Sequence, residues 1–346
     1  MVLPLTKESF ASGLSKGHRL CLNRNRREIL LQTSFPAPRH DELTNGKFAN
    51  MPNVDPAPTI LDVFGVHVPL AVAPAHWFPQ KVRPMISSSS AIQLRVDKPS
   101  GTIILNRPDK KNAITSEMVE KISEAIEDFR QQKSVSSLII VGSGDYFSSG
   151  TDLSELHAKS QEENVFEYWH QDATRFVELI EQMLRFPKPI VAALNGPVMG
   201  IANALMLAAD IVIASEKATL QFPEAKHGLM PGFSAPLLSF RLGTSQAARL
   251  MLTAEPIDAA EAHRIGLFHE IVAADLVWAR AHALAQTFQD CAPQSIQMTK
   301  QLLNETMGEQ LLLALNIAAA NLAAARTTDA ASEGLQAFAE KRKPKW

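Results

Sequence analysis

Two glycine turns and one acid are the residues best suited to chemistry in this chain: Gly150-Thr151, Gly200-Ile201 and Glu224. Each glycine stands where an apolar strand run meets a helix start, so the residue after it can turn a backbone N–H toward a ligand oxygen. Two such amides converging on one oxygen make an oxyanion site, each donor contributing about 10²- to 10³-fold in rate. Taken singly, either turn is ordinary loop punctuation. Glu224 gives the pair a chemical meaning. It follows Phe222-Pro223 in a stretch poor in acids. On spacing alone it reads first as an ordinary surface acid; set among apolar residues, either it pairs with a neighbouring base, Lys226 or His227, or its pKa is raised to where a carboxyl can take and return a proton.

The elements that must hold these residues lie mainly in 187–232. Ile190 to Leu194 reads as a buried strand and Asn195-Gly196-Pro197 as a sharp turn. From about Met199 to Ala209 the chain is apolar on every side, which predicts a fully buried helix. Ile211 to Ala214 is a second strand run, followed by a hairpin-like segment bearing Glu224. On the buried helix no second carboxylate appears. Asn203 reads as a buried amide bonded to backbone, and Asp210 as a structural acid closing the helix.

Upstream, Ala91 to Val96 and Thr102 to Leu105 read as strands joined by a Pro-Ser-Gly turn. A helix capped at Thr115/Ser116 places Met118, Val119, Ile122, Ala125, Ile126 and Phe129 at helical spacing. Leu138 to Val141 is a short buried strand, and 161–186 an amphipathic helix with Phe166, Trp169, Ala173, Phe176, Val177, Ile180, Met183 and Leu184 on its apolar positions. Strand–strand–helix followed by strand–helix repeats predicts an α/β fold of ββα units. From Pro236 onward the pattern is helical, over 245–253, 258–264, 273–289, 293–305 and 309–327. These late helices can pack on the core or on a second subunit.

Composition narrows the partners. Of 346 residues 46% are hydrophobic and the net charge is −2, which fits a soluble globular protein and gives no electrostatic case for nucleic acid or membrane. Cys21 and Cys291 lack metal-ligand spacing and the histidines lack an HxxxH pattern, so no metal is expected. Neither a P-loop nor a Rossmann glycine pattern occurs. The basic end, Lys341-Arg342-Lys343-Pro344-Lys345, is either a solvated tail or a contact for a ligand phosphate.

Residues 1 to about 88 read differently, with 10 of the 21 prolines and no sustained periodicity. Three readings stand: a poorly ordered extension, an upstream start with Met85 as the working one, or an organelle transit peptide over 1–84. The first two leave the protein cytoplasmic, and the third sends it to an organelle matrix. The domain expectation is this extension, a catalytic core over 89–255 and a helical region over 256–346.

From about Ala91 to Trp346 the chain resembles the crotonase superfamily, the enoyl-CoA hydratase/isomerase group. The pieces that carry the resemblance are ILNRPDKKNAIT, FSSGTDL, KPIVAALNGPVMG, ADIVIASEKATLQFPEAKHGLMPG, TAEPIDAAEAHRIGLFHEIV and EGLQAFAEKRKPKW. The resemblance implies a crotonase-like spiral of ββα units with trailing helices that build a homotrimer, often a hexamer. It implies an acyl-CoA thioester substrate and no separate cofactor, CoA being part of the substrate. Carried over by motif, the oxyanion amides belong to Thr151 and Ile201, and the CoA contacts to Lys110, Lys111, Ala113, Ser149 and Gly150. Hydratases of the group resemble GGGxE after the oxyanion turn and PE some twenty residues later. Here the second acid is present as Glu224, and Ala204 occupies the place of the first. A lone catalytic Glu224 looks like the Δ3,Δ2-enoyl-CoA isomerases. The acid's position matches the mitochondrial type, while the wording of SSGTDL and NGPVMGI is closer to the peroxisomal one. The other readings are a hydratase or another crotonase reaction, and a non-catalytic acyl-CoA-binding protein.

Overall fold

The computed structural model describes residues 91–306 and 308–346. The expectations for residues 1–88 lie outside the described residues.

Short apolar runs build the central sheet. β1 (Ile92–Asp97) and β2 (Ser100–Leu105) form an antiparallel pair, and β3 (Ser137–Gly142), β4 (Ile190–Leu194), β6 (Ile211–Ser215) and β9 (Glu270–Val272) continue from β2 in parallel. A parallel sheet needs helices on both faces, so its strands lack the polar alternation of a half-solvated one. All six residues of β3 are buried. Their side chains alternate between two cores: Leu138 and Ile140 join the larger, with Ile190, Ala192 and Val212, while Ile139 and Val141 meet Val191, Ala193 and Ile213 on the other face. Helix α7 (Val277–Gln289) covers that second face through Val277 and Ala281.

The larger core is closed by α1 (Ser116–Gln131), α3 (Val165–Leu184) and α4 (Ala202–Ala208). Thr115 caps α1 by accepting the Met118 N–H, and the buried face of α1 is the predicted set from Met118 to Phe129. On α3 the predicted face holds except at Phe166, which is 56% exposed in the first turn. The strand joining expected over Pro-Ser-Gly is shorter, because Ser100 and Gly101 already pair in β2.

A small second sheet sets the site. β5 (Val198–Met199) runs parallel to β7 (Thr219–Gln221), and β7 pairs antiparallel with β8 (Ile257–Asp258). The expected start of the buried helix at Met199 is therefore strand, and Gly200 turns the chain into α4. Glu224 does not sit in a hairpin. It opens a 3-10 turn over Glu224–His227, since Pro223 ahead of it ends the ladder.

The remaining α-helices among the described residues are α2 (Leu153–Lys159), α5 (Ser234–Thr253, kinked at Gly243), α6 (Ala259–Arg264), α8 (Pro293–Glu305), α9 (Gly308–Ala325) and α10 (Asp329–Ala339). β8 and β9 fall after residue 255, so the sheets draw strands from the region expected to be helical. By length and composition α9 could cross a membrane; in this fold it packs on α3 and α5, burying Leu311, Leu315, Ala318, Ala319, Leu322 and Ala323.

A buried cation ties the late helices to the core. Lys300 of α8 donates to the Met183 and Lys188 carbonyls and to Asp210 Oδ2 at 2.7 Å. The same Asp210 oxygen accepts the Ile190 N–H at the head of β4, which makes it the structural acid expected. Arg342, in the basic tail, pairs with Glu333 and Glu340 of its own helical end.

Candidate active site

Three short segments converge where the large sheet meets the small one. Ser148 and Val198 form an isolated parallel bridge, with the Met199 N–H donating to the Ser148 carbonyl at 3.0 Å. That contact lays the Gly150 turn against the Gly200 turn. Gly150 has φ +89° and Gly200 φ +55°, the left-handed region that favours glycine. A Cβ on Gly150 would stand 2.7 Å from the Met199 carbonyl oxygen, so the close approach itself requires glycine there. A Cβ on Gly200 would lie 3.5 Å from Glu224 Oε1. Both turns and the acid named from the sequence therefore come together.

The amides have the pattern an oxyanion site needs. The N–H of Gly150 goes to Ser148 Oγ, that of Asp152 to the Ile114 carbonyl, that of Gly200 to the Gln221 carbonyl and that of Asn203 to the Gly200 carbonyl. Among the described residues no acceptor takes the N–H of Thr151 or of Ile201. Thr151 and Ile201 are half-buried, and two neighbouring amides that no protein acceptor takes are free to donate to a ligand oxygen.

Glu224 is the acid beside them. Its Oε2 is buried and has no hydrogen-bond partner among the described residues. Desolvation, opposed in part by its own backbone N–H, pushes its carboxyl up to about 7. Of the two alternatives for Glu224, the structure supports the raised pKa. Neither Lys226 nor His227 pairs with that oxygen among the described residues: Lys226 is exposed, and the His227 ring lies 6.5 Å from that of Phe338. Ala204 is fully buried in the larger core. Asn203 Nδ2 donates to the Gly200 and Gln221 carbonyls, as expected of a buried amide, and so braces the turn beneath Ile201.

The loop after β2 is bound to the same turns. Arg107 Nη1 donates to Asp152 Oδ2 at 2.9 Å and to the Ala113 carbonyl, while Asp152 caps α2 through the Ser154 and Glu155 N–H groups. Ser148 Oγ donates to the Asn112 carbonyl and the Ser149 N–H to that of Lys111. Lys110, Lys111, Ala113, Ser149 and Gly150 thus form one continuous border to the Thr151 amide. Lys110 and Lys111 are exposed, with Lys111 Nζ 5.1 Å from the centre of the Tyr146 ring, while Ala113 is buried.

A cavity of about 30 Å³ connects Thr151, Ile201 and Glu224 with Leu156, Leu229, Leu322 and Arg326. Phe233 and Ser234 line it too. Leu322 and Arg326, at the end of α9, were not foreseen. A larger groove of about 680 Å³ lies between the end of α3 and helices α8 and α9, and shares no lining residue with the Glu224 cavity.

Helix α10 also escaped the sequence reading, although the local signal is present: Thr328 caps it and Ala331, Leu335 and Phe338 recur at helical spacing. It packs on both α2 and the Glu224 turn. The contact is backbone on backbone. A Cβ on Gly334 would lie 1.9 Å from the His227 carbonyl oxygen, and one on Gly228 2.0 Å from that of Ala330.

This geometry agrees with what known proteins resemble it. A sequence model described as enoyl-CoA hydratase/isomerase matches residues 100–346. A Bacillus subtilis protein named "Probable enoyl-CoA hydratase" is 34% identical over 261 residues, covering 74% of this chain and 98% of that protein. The rat protein named "Enoyl-CoA delta isomerase 2" is 31% identical over 210 residues, covering 60% of this chain and 53% of its own. Most of the similar curated proteins carry hydratase names. A solved enoyl-CoA hydratase/isomerase from Xanthobacter autotrophicus Py2 superposes with a TM-score of 0.69 at 28% identity, covering 73% of this chain and 94% of that one. The spiral of ββα units is thus the crotonase fold, and the chain belongs to the enoyl-CoA hydratase/isomerase family of the crotonase superfamily.

Proposed function

We propose that the protein is an enoyl-CoA isomerase, moving a double bond of an acyl-CoA thioester by a 1,3-proton transfer. One observation carries the reading: Glu224 is the lone carboxylate among the described residues lining the cavity beside the unpaired Thr151 and Ile201 amides. The thioester carbonyl oxygen accepts both N–H groups. The Glu224 carboxylate removes a proton from C2 of a 3-enoyl thioester; the C–H electron pair forms a C1=C2 bond and pushes the carbonyl π pair onto the oxygen, giving a dienolate conjugated with the C3=C4 bond. The carboxylic acid so formed gives the proton to C4, which leaves the double bond between C2 and C3. Each proton transfer by a positioned carboxyl contributes about 10²- to 10⁴-fold, and a carboxyl poised near pH 7 suits both directions. Adding water would require one group to hold the water and another to handle its protons. With Ala204 where hydratases of the group resemble Glu, this site has one acid for both tasks.

In this reading CoA enters along the border from Lys110 to Gly150, and no separate cofactor is needed. The trailing helices would assemble a trimer or hexamer.

Hydratase activity is the second reading, favoured by the names of most similar proteins. Parallel assays of 3-enoyl isomerisation and 2-enoyl hydration separate the two. Isomerisation should dominate and disappear in Glu224→Gln with thioester binding retained. Hydration outpacing isomerisation, or near-normal turnover in the variant, would sink the proposal.

A further inference from the structure

An arginine is an unexpected wall for a cavity that receives a plain hydrocarbon chain. Arg326, just past the end of α9, lines the cavity shared by Glu224, Thr151 and Ile201, and its side chain is 3% exposed. The rest of that wall is mostly apolar, with Leu156, Leu229 and Leu322. Burying a guanidinium is costly unless its N–H groups are satisfied.

The guanidinium is held, but only in part. Nη1 donates to Asp172 Oδ2 at 2.7 Å. The Cζ atom lies 5.1 Å from the centre of the buried Trp169 ring, within cation–π range. Asp172 is fixed in turn, because Ser116 Oγ donates to its other oxygen at 2.9 Å and also meets Tyr168 Oη. Arg326 therefore cannot swing away. A guanidinium carries five N–H donors in a planar fork. Among the described residues the bond to Asp172 is the one its guanidinium makes, so donors remain for a guest.

We infer that Arg326 recognises an oxygen acceptor, a carbonyl or carboxylate, on the part of the acyl group beyond the reacting carbons. This rests on the proposed function only in placing the thioester carbonyl at Thr151 and Ile201. With that end pinned, whatever part of the acyl group meets Arg326 lies past C2 to C4. A guest oxygen there would share the guanidinium with Asp172. A methyl-ended chain would leave the remaining donors desolvated and unpaired, which is the larger penalty in a closed site.

The test is equilibrium binding of saturated acyl-CoA thioesters, which do not react and so report on Arg326 whatever reaction the enzyme performs. Three thioesters of matched length end in methyl, primary amide or carboxylate. The wild-type protein should bind one or both oxygen-ended thioesters at least about 10-fold tighter than the methyl-ended one. A carboxylate preferred over the amide identifies an anionic group, and the reverse a neutral one shared with Asp172. In Arg326→Met the preference should vanish, with the methyl-ended thioester bound as well as before or better. Wild-type protein binding the methyl-ended thioester equally well or tighter overturns the inference. So does Arg326→Met weakening all three alike, the signature of a purely structural ion pair. Should that variant not fold, Arg326→Lys keeps a cation without the fork; it must reduce the preference, and an unchanged preference counts against the fork. Loss of isomerisation in other assays would touch the proposed function and leave this result standing.

Discussion

Gly150 and Gly200 meet backbone to backbone: a Cβ on Gly150 would fall 3.2 Å from the Gly200 Cα, and one on Gly200 3.6 Å from the Gly150 Cα. Two chain reversals, 50 positions apart in number, share one small volume because neither carries a side chain. Their following amides, Thr151 and Ile201, are then held as neighbours without a partner of their own.

Replacing either glycine separates strain from function. Gly150→Ala puts a methyl 2.7 Å from a backbone carbonyl at φ +89°, so it should lower stability by about 2 kcal/mol or more and abolish activity. Gly200→Ala meets Glu224 Oε1 at an ordinary 3.5 Å, and should cost about 1 kcal/mol from its φ of +55°. Its activity should still fall about 10-fold or more, because the methyl occupies the face of the carboxyl. Chemical denaturation beside turnover checks both.

The Glu224 carboxyl should be visible in the pH dependence of stability. Its folded pKa, about 7, lies above the ordinary 4.5. Below pH 4.5 both states carry the proton and no penalty arises. As pH rises from 4.5 to 7 the unfolded chain releases that proton while the fold retains it, so stability falls, by on the order of 3 kcal/mol once pH exceeds 7. Glu224→Gln removes the titration. The variant's stability advantage should therefore be absent at pH 4, grow across that window and level off at pH 8, as thermal unfolding would record. A constant difference over the range contradicts it.

Activity should follow the opposite slope. Proton removal from the substrate needs the carboxylate, so kcat/KM should rise through pH 7 and flatten above it. An acidic limb centred near the ordinary 4.5 would show that burial does not raise this carboxyl.

At Gly334 two effects have opposite signs. Helix propensity favours alanine by about 1 kcal/mol. A methyl there, however, would lie 1.9 Å from the His227 carbonyl oxygen, a backbone atom that can only yield by moving the Glu224 turn. The clash should win, so Gly334→Ala should destabilise the protein and reduce activity at least about 10-fold. A stabilised, active variant would mean that α10 does not press on the turn.

Lys300→Ala should cost about 3 kcal/mol, because it takes the cation from the buried side of the Asp210 carboxylate and one donor each from the Met183 and Lys188 carbonyls. Thioester binding at pH 7 should be unchanged in the fraction that stays folded, since Lys300 is absent from the Glu224 cavity.

Local rules made much of this legible. The buried face of α1 follows from one-sided burial of an amphipathic helix, and the glycine turns from backbone needs that side chains cannot meet. The acid's environment followed from its apolar neighbours. What escaped depends on partners distant in sequence. Arg326 at a helix end looks like a surface base until Trp169 and Asp172 of α3 close around it. Phe166 fits the apolar period of α3 yet is exposed, because periodicity alone does not say where a neighbouring element stops. Gly228 and Gly334 carry no shared local pattern, and only docking of α10 explains both.

The Gly334 contact also sets a timetable. During synthesis Glu224 leaves the ribosome and its turn can form long before α10 exists, so the nascent chain holds an acid site that is not yet braced. Site geometry becomes final only when α10 docks on α2 and the turn. A chain released after Thr328 would keep the sheet, both glycine turns and the acid, and should fold into a protein that titrates and binds differently from the finished one.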